Sequence, residues 1–288
     1  MTGRRKKVLV AAVLGAAALA ALVFGGCGDN GASLRRKVRE VHMPHLAKAL
    51  REDIARHLTG VQRAADRIAP GFGVPDPAIR ERQVRVALKK LRVPPRGVME
   101  LVASPMSFMA AVDASGIVVA RDAEPDRMKG MNLARLFPVV RRALAGSRGY
   151  DLGEFASLER GGEPSVTVLF AAPSRVQGRV VGAVVVGIPL WRLSQRMTKQ
   201  LQVETAGEPG TIVWAYIYRG NQVFHHGTPP DIDAVVPNRA ARNARLATSP
   251  GGYTDEMQQF GFWYGYGVMP LPRIAPDVGL VVYLAKPQ

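Results

Sequence analysis

The sequence predicts an α+β protein in which a long N-terminal helix precedes two tandem modules of strands and short helices. Apolar residues recur at the helical period through positions 33–69. Beyond position 98, short apolar segments alternate with turn residues, as strands do. A hairpin, two short helices and three further strands then occur twice in the same order. This repetition indicates two copies of one module.

Residues 1–27 have the three parts of an export signal. Basic residues at 4–7 precede an apolar run at 8–24, and two glycines and Cys27 follow it. The run is short for a spanning helix, which needs about 20 apolar residues, and the basic residues favour a cytoplasmic N-terminus. We therefore expect 1–27 to be a signal peptide or membrane anchor. The rest of the protein is then extracytoplasmic and membrane-anchored, in the bacterial periplasm or cell envelope.

Cys27 is the single cysteine of the chain, so an intrachain disulfide is excluded. Small residues before a lone cysteine resemble the lipobox of bacterial lipoproteins, in which that cysteine is lipidated. Phe24 departs from the aliphatic residue that usually lies three positions before it. Three forms stay open: a lipoprotein, an uncleaved anchor with an incidental cysteine, and a cleaved soluble protein.

The net charge of +16 is concentrated between positions 35 and 96. Nucleic acid is the usual partner of so basic a region, but the export signal argues against it. Outside the membrane the anionic partners are lipid headgroups, cell-wall polymers and acidic ligands. The alternative is a solvated, arginine-rich helix face.

The predicted helical spine covers 33–92. A first helix at 33–69 is kinked or restarted at Pro44 and ends at Pro70, and a second helix covers 76–91. The apolar stripe of the first helix must be covered by the sheets or by a second copy of the helix in a homodimer. The stripe consists of Leu34, Val38, Val41, Leu46, Leu50, Ile54, Leu58, Val61, Ala65 and Ile68.

The two predicted modules cover 98–190 and 210–288, and a helical connector covers 191–209. Asn132 is the predicted N-cap of a short helix, and Gln177-Gly178 is a predicted hairpin turn. Module 1 has predicted strands at 106–112, 117–120, 150–155, 164–172 and 180–188, and predicted helices at 132–137 and 139–144. Module 2 has predicted strands at 211–218, 222–225, 252–256, 259–269 and 278–284, and predicted helices at 231–235 and 239–246.

Four segments of module 1 resemble Cache domains, the PAS-like extracytoplasmic sensor modules of bacterial chemoreceptors and histidine kinases. These are Val-Asp-Ala-Ser-Gly-Ile-Val-Val-Ala-Arg-Asp at 112–122, Lys-Gly-Met-Asn-Leu at 129–133, Leu-Phe-Ala-Ala-Pro at 169–173 and the glycine-rich strand at 178–190. The resemblance is good over 33–201 and weak over 210–288. It implies a five-stranded antiparallel sheet with short helices over one face and a small-ligand pocket between them. The repeat resembles tandem double Cache domains.

The resemblance implies a membrane-anchored small-ligand sensor that is not an enzyme and needs no cofactor. No apolar run after Phe24 is long enough to span a membrane, and no kinase or methyl-accepting segment is recognisable. We therefore expect ligand occupancy to pass to a separate signalling partner protein. The alternative is an envelope structural or adhesive lipoprotein, and a third hypothesis is a hydrolase. A cleft of about 300 Å³ or more with converging polar groups would favour sensing, and an apolar cavity would favour the structural protein.

The resemblance also places the ligand beside the central strands and their helical cover. Arg121 is the best candidate for binding a carboxylate, because a guanidinium group pairs with it through two hydrogen bonds. The alternative for Arg121 is a surface salt bridge to Asp122 or Glu124. The amino-acid-binding signature Arg-x-Trp-Tyr is absent, so an amino-acid ligand is not implied. The candidate ligand-binding residues are Phe108, Arg121, Met128, Phe170, Pro173 and Ser174.

Other reactive residues favour ordinary structural roles. His42 and His45 share a helix face, but no thiolate or carboxylate cluster is near them in sequence, and the adjacent pair at 225–226 points to opposite faces of a strand. No metal is predicted. Ser104, like the other serines, lacks the Gly-x-Ser-x-Gly elbow of hydrolases. Aromatic residues between 260 and 266 alternate with glycines and favour sheet packing, with a binding platform for a ring-shaped ligand as the alternative.

Overall fold

The computed structural model describes residues 30–156, 165–225 and 235–287. Cys27, the predicted segment 1–27, His226 and most of the predicted helix 231–235 lie outside these ranges. The described helices are α1 (Asn30–Lys37), α2 (Met43–Ile68), α3 (Pro77–Leu91), α4 (Met99–Val102), α5 (Leu133–Leu136), α6 (Pro138–Leu144), α7 (Leu190–Glu204) and α8 (Arg239–Thr248). The described strands are β1 (Phe108–Asp113), β2 (Val118–Arg121), β3 (Gly149–Phe155), β4 (Ser165–Val176), β5 (Arg179–Pro189), β6 (Ile212–Arg219), β7 (Gln222–Phe224), β8 (Tyr253–Gln259), β9 (Phe262–Pro270) and β10 (Val278–Pro287).

The predicted α+β class and the tandem arrangement are confirmed. The first sheet has the order β2-β1-β5-β4-β3 and the second has the order β7-β6-β10-β9-β8, so the two sheets share one topology. All neighbouring strands are antiparallel. The connector helix α7 follows β5 directly and leads to the second sheet. The predicted domain boundaries themselves stay a prediction.

The spine helix runs through Pro44 instead of breaking there. A π-helical turn, Val38–His42, joins α1 to α2, and Pro44 is in the first turn of α2. Proline lacks an N–H group and its ring crowds the carbonyl four residues earlier, and a widened turn relieves this conflict. The 26 residues of α2 make it about 39 Å long, which is enough to lie along both sheets.

The apolar stripe of the spine is buried by the chain itself. It joins a shared core with one face of each sheet, in which Leu46, Val61 and Ile68 are almost fully buried. Val41 is the exception, since it is exposed at the surface of the π-helical turn. A homodimer through α2 would therefore have to use the polar outer face of the helix.

Each sheet has a second packed face. In the first, α5 and α6 cover an apolar group that we call the cover cluster, which includes Ala110, Leu133 and Val185. In the second, six tyrosines dominate, and we call this group the tyrosine cluster. Each sheet packs against the shared core with the spine on one face and carries one of these clusters on the other, so both of its faces are buried. This explains the nearly continuous apolar sequence of β5.

Local turn and cap chemistry follows the sequence closely. Gln177 and Gly178 have φ angles of 51° and 80°, as a type I′ hairpin turn requires. Asn132 accepts a hydrogen bond from the backbone N–H of Arg135, which confirms it as an N-cap. One boundary is wrong: Gln259 ends β8 instead of starting the next strand. The turn consists of Phe260 and Gly261, with φ angles of 51° and 75°.

The described helices include none that is both long and apolar enough to cross a membrane.

Candidate functional site

The six predicted ligand residues lie on two faces of the first sheet. Phe108 and Met128 belong to the cover cluster. Arg121 pairs with Ala110, and Pro173 pairs with Ala183, both of which belong to the same cluster, so these two residues also face the cover. Phe170 and Ser174 are on the opposite face. The sheet therefore brings four candidates to one side and separates them from the other two.

Aromatic rings occupy one end of the cover face. The rings of Phe108 and Phe137 lie 5.5 Å and 5.0 Å from that of Phe155. Gly187 and Gly153 make room for them, because a Cβ atom at Gly187 would lie 2.2 Å from the Phe108 ring and one at Gly153 would lie 2.7 Å from the Phe137 ring. Phe108 therefore packs as a core residue of this face.

Arg121 lies at the edge of the sheet beside a buried carboxylate. Its Nε is buried, has no hydrogen-bond partner within the described ranges and lies 3.9 Å from Oδ1 of Asp122. Asp122 already pairs with Arg92 at 2.5 Å and accepts a hydrogen bond from the backbone of Met109. Of the two predicted salt-bridge partners, Asp122 is within 4 Å of Arg121, and Glu124 pairs with Arg85.

Phe170 contacts a polar network that lies between the first sheet and the spine. Its ring stacks on that of His57, with centroids 5.1 Å apart. His57 Nδ1 is 2.6 Å from the carbonyl oxygen of Asp53, and Nε2 is 2.7 Å from Oγ of Ser104. A carbonyl can only accept, so Nδ1 carries a proton, and in the neutral ring Nε2 then accepts from the serine hydroxyl. Burial lowers the pKa of His57, which keeps the ring neutral.

A cleft of about 390 Å³ opens above this network, between α7 and the segment at 102–105, which includes the end of α4. Ser104 lines it and links it to His57. Arg196 also lines it and reaches down to Asp53, which is 3% exposed. The lining residues are Val102, Ala103, Ser104, Pro105, Arg192, Gln195, Arg196, Lys199, Gln200 and Val203.

Three cations from one face of α7 dominate the cleft. Arg192, Arg196 and Lys199 are four and three residues apart, the spacing of one helix face. Arg192 donates to the carbonyl of Met106 over 2.8 Å and lies 5.1 Å from the Trp191 ring centroid. Sequence reasoning missed this site. The helical spacing of the three cations could have indicated a positively charged helix face. The segment that faces those cations, however, is about 90 residues away in the chain.

A second polar contact joins α7 to the spine at the π-helical turn. His42 Nδ1 is 2.9 Å from Oε2 of Glu204, and His45 Nδ1 is 3.8 Å from Oε1. Burial lowers the pKa of His42, against the raising effect of the glutamate. Within the described ranges, no group of three or more histidine, cysteine or acidic side chains is arranged to hold a metal ion.

The aromatic residues of β9 pack as predicted, on both faces of the second sheet. Tyr264 and Tyr266 join the tyrosine cluster, where Tyr283 donates from its hydroxyl to the carbonyl of Val235 over 2.8 Å. Burial raises the pKa of Tyr266 to about 12. Trp263 is on the other face and packs against the shared core.

Solved sensor structures resemble this chain. The ligand-binding domain of the Campylobacter jejuni chemoreceptor Tlp3, in complex with 4-methylisoleucine, has a TM-score of 0.50 at 10% identity and covers 88% of this chain and 92% of its own. The ligand-binding domain of the Pseudomonas fluorescens chemoreceptor CtaA, in complex with L-alanine, has a TM-score of 0.49 at 15% identity, with coverages of 88% and 97%. The sensor domain of the V. cholerae histidine kinase DctB has a TM-score of 0.46 at 13% identity, with coverages of 87% and 96%. No protein-family model and no curated sequence matches the chain.

The fold matches a tandem PAS-like Cache fold. The resemblance predicted from the four segments of module 1 is thereby confirmed at the level of fold, and the weakly matching second module has the same topology. At this sequence identity the likeness shows the fold alone.

Proposed function

We propose that this chain is a membrane-anchored extracytoplasmic sensor that binds a small molecule and passes its occupancy to a separate partner protein. The observation that carries the proposal is the cleft between α7 and the segment at 102–105. Its volume of about 390 Å³ lies within the range of small-molecule sites. Arginine, lysine and glutamine side chains converge on it, which is the feature that favours sensing over a purely structural role.

The contacts of α7 support a signalling role for this cleft. The helix touches the second sheet, where Ser194 donates to the carbonyl of Ala215 over 2.5 Å. It touches the spine through Arg196 and through Glu204. A ligand held between α7 and module 1 therefore contacts a helix that touches both the second sheet and the spine. Binding would favour one arrangement of α7, and a partner would recognise that arrangement.

A thermal-shift screen of the purified full-length protein tests ligand binding. We expect at least one small metabolite to raise the melting temperature in a concentration-dependent way, because a ligand that binds only the folded state stabilises it. A screen of anionic, neutral and cationic metabolites in which none stabilises the protein would overturn the proposal.

Membrane anchoring is tested separately at Cys27. If the cysteine is lipidated, Cys27→Ser abolishes labelling by a fatty-acid probe and leaves an uncleaved precursor. Normal processing and retained membrane association in the variant would instead identify a simple anchor. Release of the wild-type protein into the soluble fraction would contradict anchoring of either kind.

Arg121 and the other predicted residues of module 1 form the alternative binding region. Once a carboxylate ligand is found, Arg121→Ala should weaken its binding by about 1.5–3 kcal/mol if the ligand contacts this side chain. Unchanged affinity would exclude Arg121 from the site. Matched substitutions of Arg192 and Lys199 in the cleft show which of the two regions holds the ligand.

One observation favours the second candidate function, an envelope structural protein. A mainly apolar cavity of about 220 Å³ lies between α2 and the loop that follows β9, lined by residues that include Leu50, Ile54, Leu271 and Ile274. If protein contacts are the role of this chain, affinity capture from envelope extracts should recover the same partner whether or not the cleft of α7 is altered.

A further inference from the structure

The cleft presents positive charge that no carboxylate at its surface balances. Arg192, Arg196 and Lys199 all line it, and none of the described residues that line it is acidic. The charge of Arg196 is already matched, because its guanidinium group forms two hydrogen bonds with the buried Asp53. Within the described ranges, Arg192 and Lys199 have no carboxylate partner. Two net positive charges therefore face the cleft.

The guanidinium group of Arg192 is held in position by two contacts. One of its terminal nitrogens donates to the carbonyl of Met106, and the guanidinium group lies over the Trp191 ring. A guanidinium group has five N–H donors, so others stay available to a ligand. Fixing the group in advance reduces the entropy that binding would cost. Lys199, which is exposed at the rim, adds a second cation that can adapt to the ligand.

We infer that this cleft binds a small dianion, either a dicarboxylate or a molecule that carries a phosphate group. The inference rests on the proposed function and specifies the class of ligand. Carboxylates and phosphates both accept paired hydrogen bonds from a guanidinium group. A dianion would match both unpaired cations, whereas a neutral ligand would leave them without a counter-charge. The volume of about 390 Å³ is sufficient for a small metabolite.

Isothermal titration calorimetry of the full-length protein tests this inference with three probes: glutarate as a dicarboxylate, glycerol 3-phosphate as a phosphate monoester, and glycerol as a neutral control. We expect one or both dianions to bind, glycerol not to bind, and the affinity to fall as salt is added. Binding of one dianion alone identifies which of the two oxyanions the site takes.

Substitutions assign the binding to the cleft. Arg192→Gln should weaken it by about 10- to 100-fold, the range for a hydrogen bond to a charged group. Lys199→Gln, at an exposed position, should weaken it by up to about fivefold. Arg82→Gln removes one positive charge from an exposed site on α3, outside the cleft, and should leave the affinity unchanged. If Arg192→Gln does not fold, Lys199→Gln still provides the test.

Two results would overturn the inference. One is that neither dianion binds. The other is that a dianion binds Lys199→Gln and Arg192→Gln as tightly as the wild type. If the thermal-shift screen then finds a neutral or cationic ligand, the sensing function stands and only the dianion assignment fails. If it finds no ligand of any charge, both fail.

Discussion

Arg196 and Asp53 form a two-point ion pair that joins the connector helix to the spine. The Nε of Arg196 is 2.5 Å from one carboxylate oxygen, and a terminal guanidinium nitrogen is 2.8 Å from the other. Asp53 is buried, whereas about one third of the Arg196 side chain is exposed at the floor of the cleft. The pair therefore connects the cleft to α2, the longest of the described helices.

We expect Arg196→Met to lower the free energy of unfolding by about 1–3 kcal/mol, because it leaves a buried carboxylate without its main partner. The loss should stay below that of a fully isolated buried charge, since Arg56 lies 3.5 Å from the same carboxylate. Urea denaturation measures the change. The double variant Asp53→Asn/Arg196→Met should be more stable than Arg196→Met alone. If the double variant is no more stable than Arg196→Met, Asp53 is not the group that Arg196 stabilises.

Stability should depend on pH through two buried histidines. Burial lowers the pKa values of His42 and His57 in the folded protein, whereas in the unfolded chain they titrate near pH 6.5. The unfolded state therefore binds more protons just below that pH. The free energy of unfolding should be at its full value above about pH 6.5 and should fall as the pH is lowered through the window beneath it. Urea denaturation between pH 5 and 8 measures this. A slope that His57→Gln and His42→Gln leave unchanged would assign the effect to other groups.

Close helix packing on β9 depends on two glycines. A Cβ atom at Gly265 would lie 2.3 Å from the backbone nitrogen of Arg35, and one at Gly267 would lie 2.3 Å from the sulfur of Met43. Gly265→Ala should therefore push α1 away from the sheet and destabilise the protein by about 1–3 kcal/mol. Gly207→Ala, where no atom lies within 4 Å, is the matched control for thermal denaturation. Equal melting temperatures for the two variants would show that α1 does not pack on β9 in this way.

Because the apolar stripe of the spine is buried, introducing charged side chains there should strongly lower the stability of the protein. Leu50→Asp together with Ile54→Asp places two carboxylates against the shared core and should cost more than about 3 kcal/mol of unfolding free energy. Val41→Asp, at the exposed position of the same predicted stripe, should cost far less. Sedimentation of the wild type shows separately whether the protein is a dimer. If the double variant keeps its stability, the sheets do not cover α2.

Local signals in the sequence predicted most of the fold. The helical period located the spine, the Gln177-Gly178 pair located a hairpin, and the repeated order of elements predicted the second sheet, which is weakly similar in sequence. Gly265 and Gly267 were visible as part of an aromatic–glycine alternation, but their partner helix was not. A glycine in a strand indicates that another element packs closely against it, but it does not identify that element.

The candidate site depends on contacts between distant segments and could not be predicted in the same way. Ser104 and His57 are 47 residues apart, and Arg196 is 143 residues from Asp53. His42 and His45 are near no carboxylate cluster in the sequence, because Glu204, which contacts both, comes from another helix. Family resemblance directed attention to the strands of module 1, where the six predicted residues fall on two faces of the sheet.

The most direct test of the account compares ligand binding by the wild type and by Ala103→Trp. Ala103 is exposed and lines the cleft, so a tryptophan there should fill part of the cleft while the His57–Ser104 hydrogen bond stays in place. In a thermal-shift titration with each compound that stabilises the full-length wild type, we predict that Ala103→Trp loses the stabilisation while its melting temperature without ligand changes little. Undiminished stabilisation of Ala103→Trp by the same compounds would contradict the account, because the ligand would then bind elsewhere.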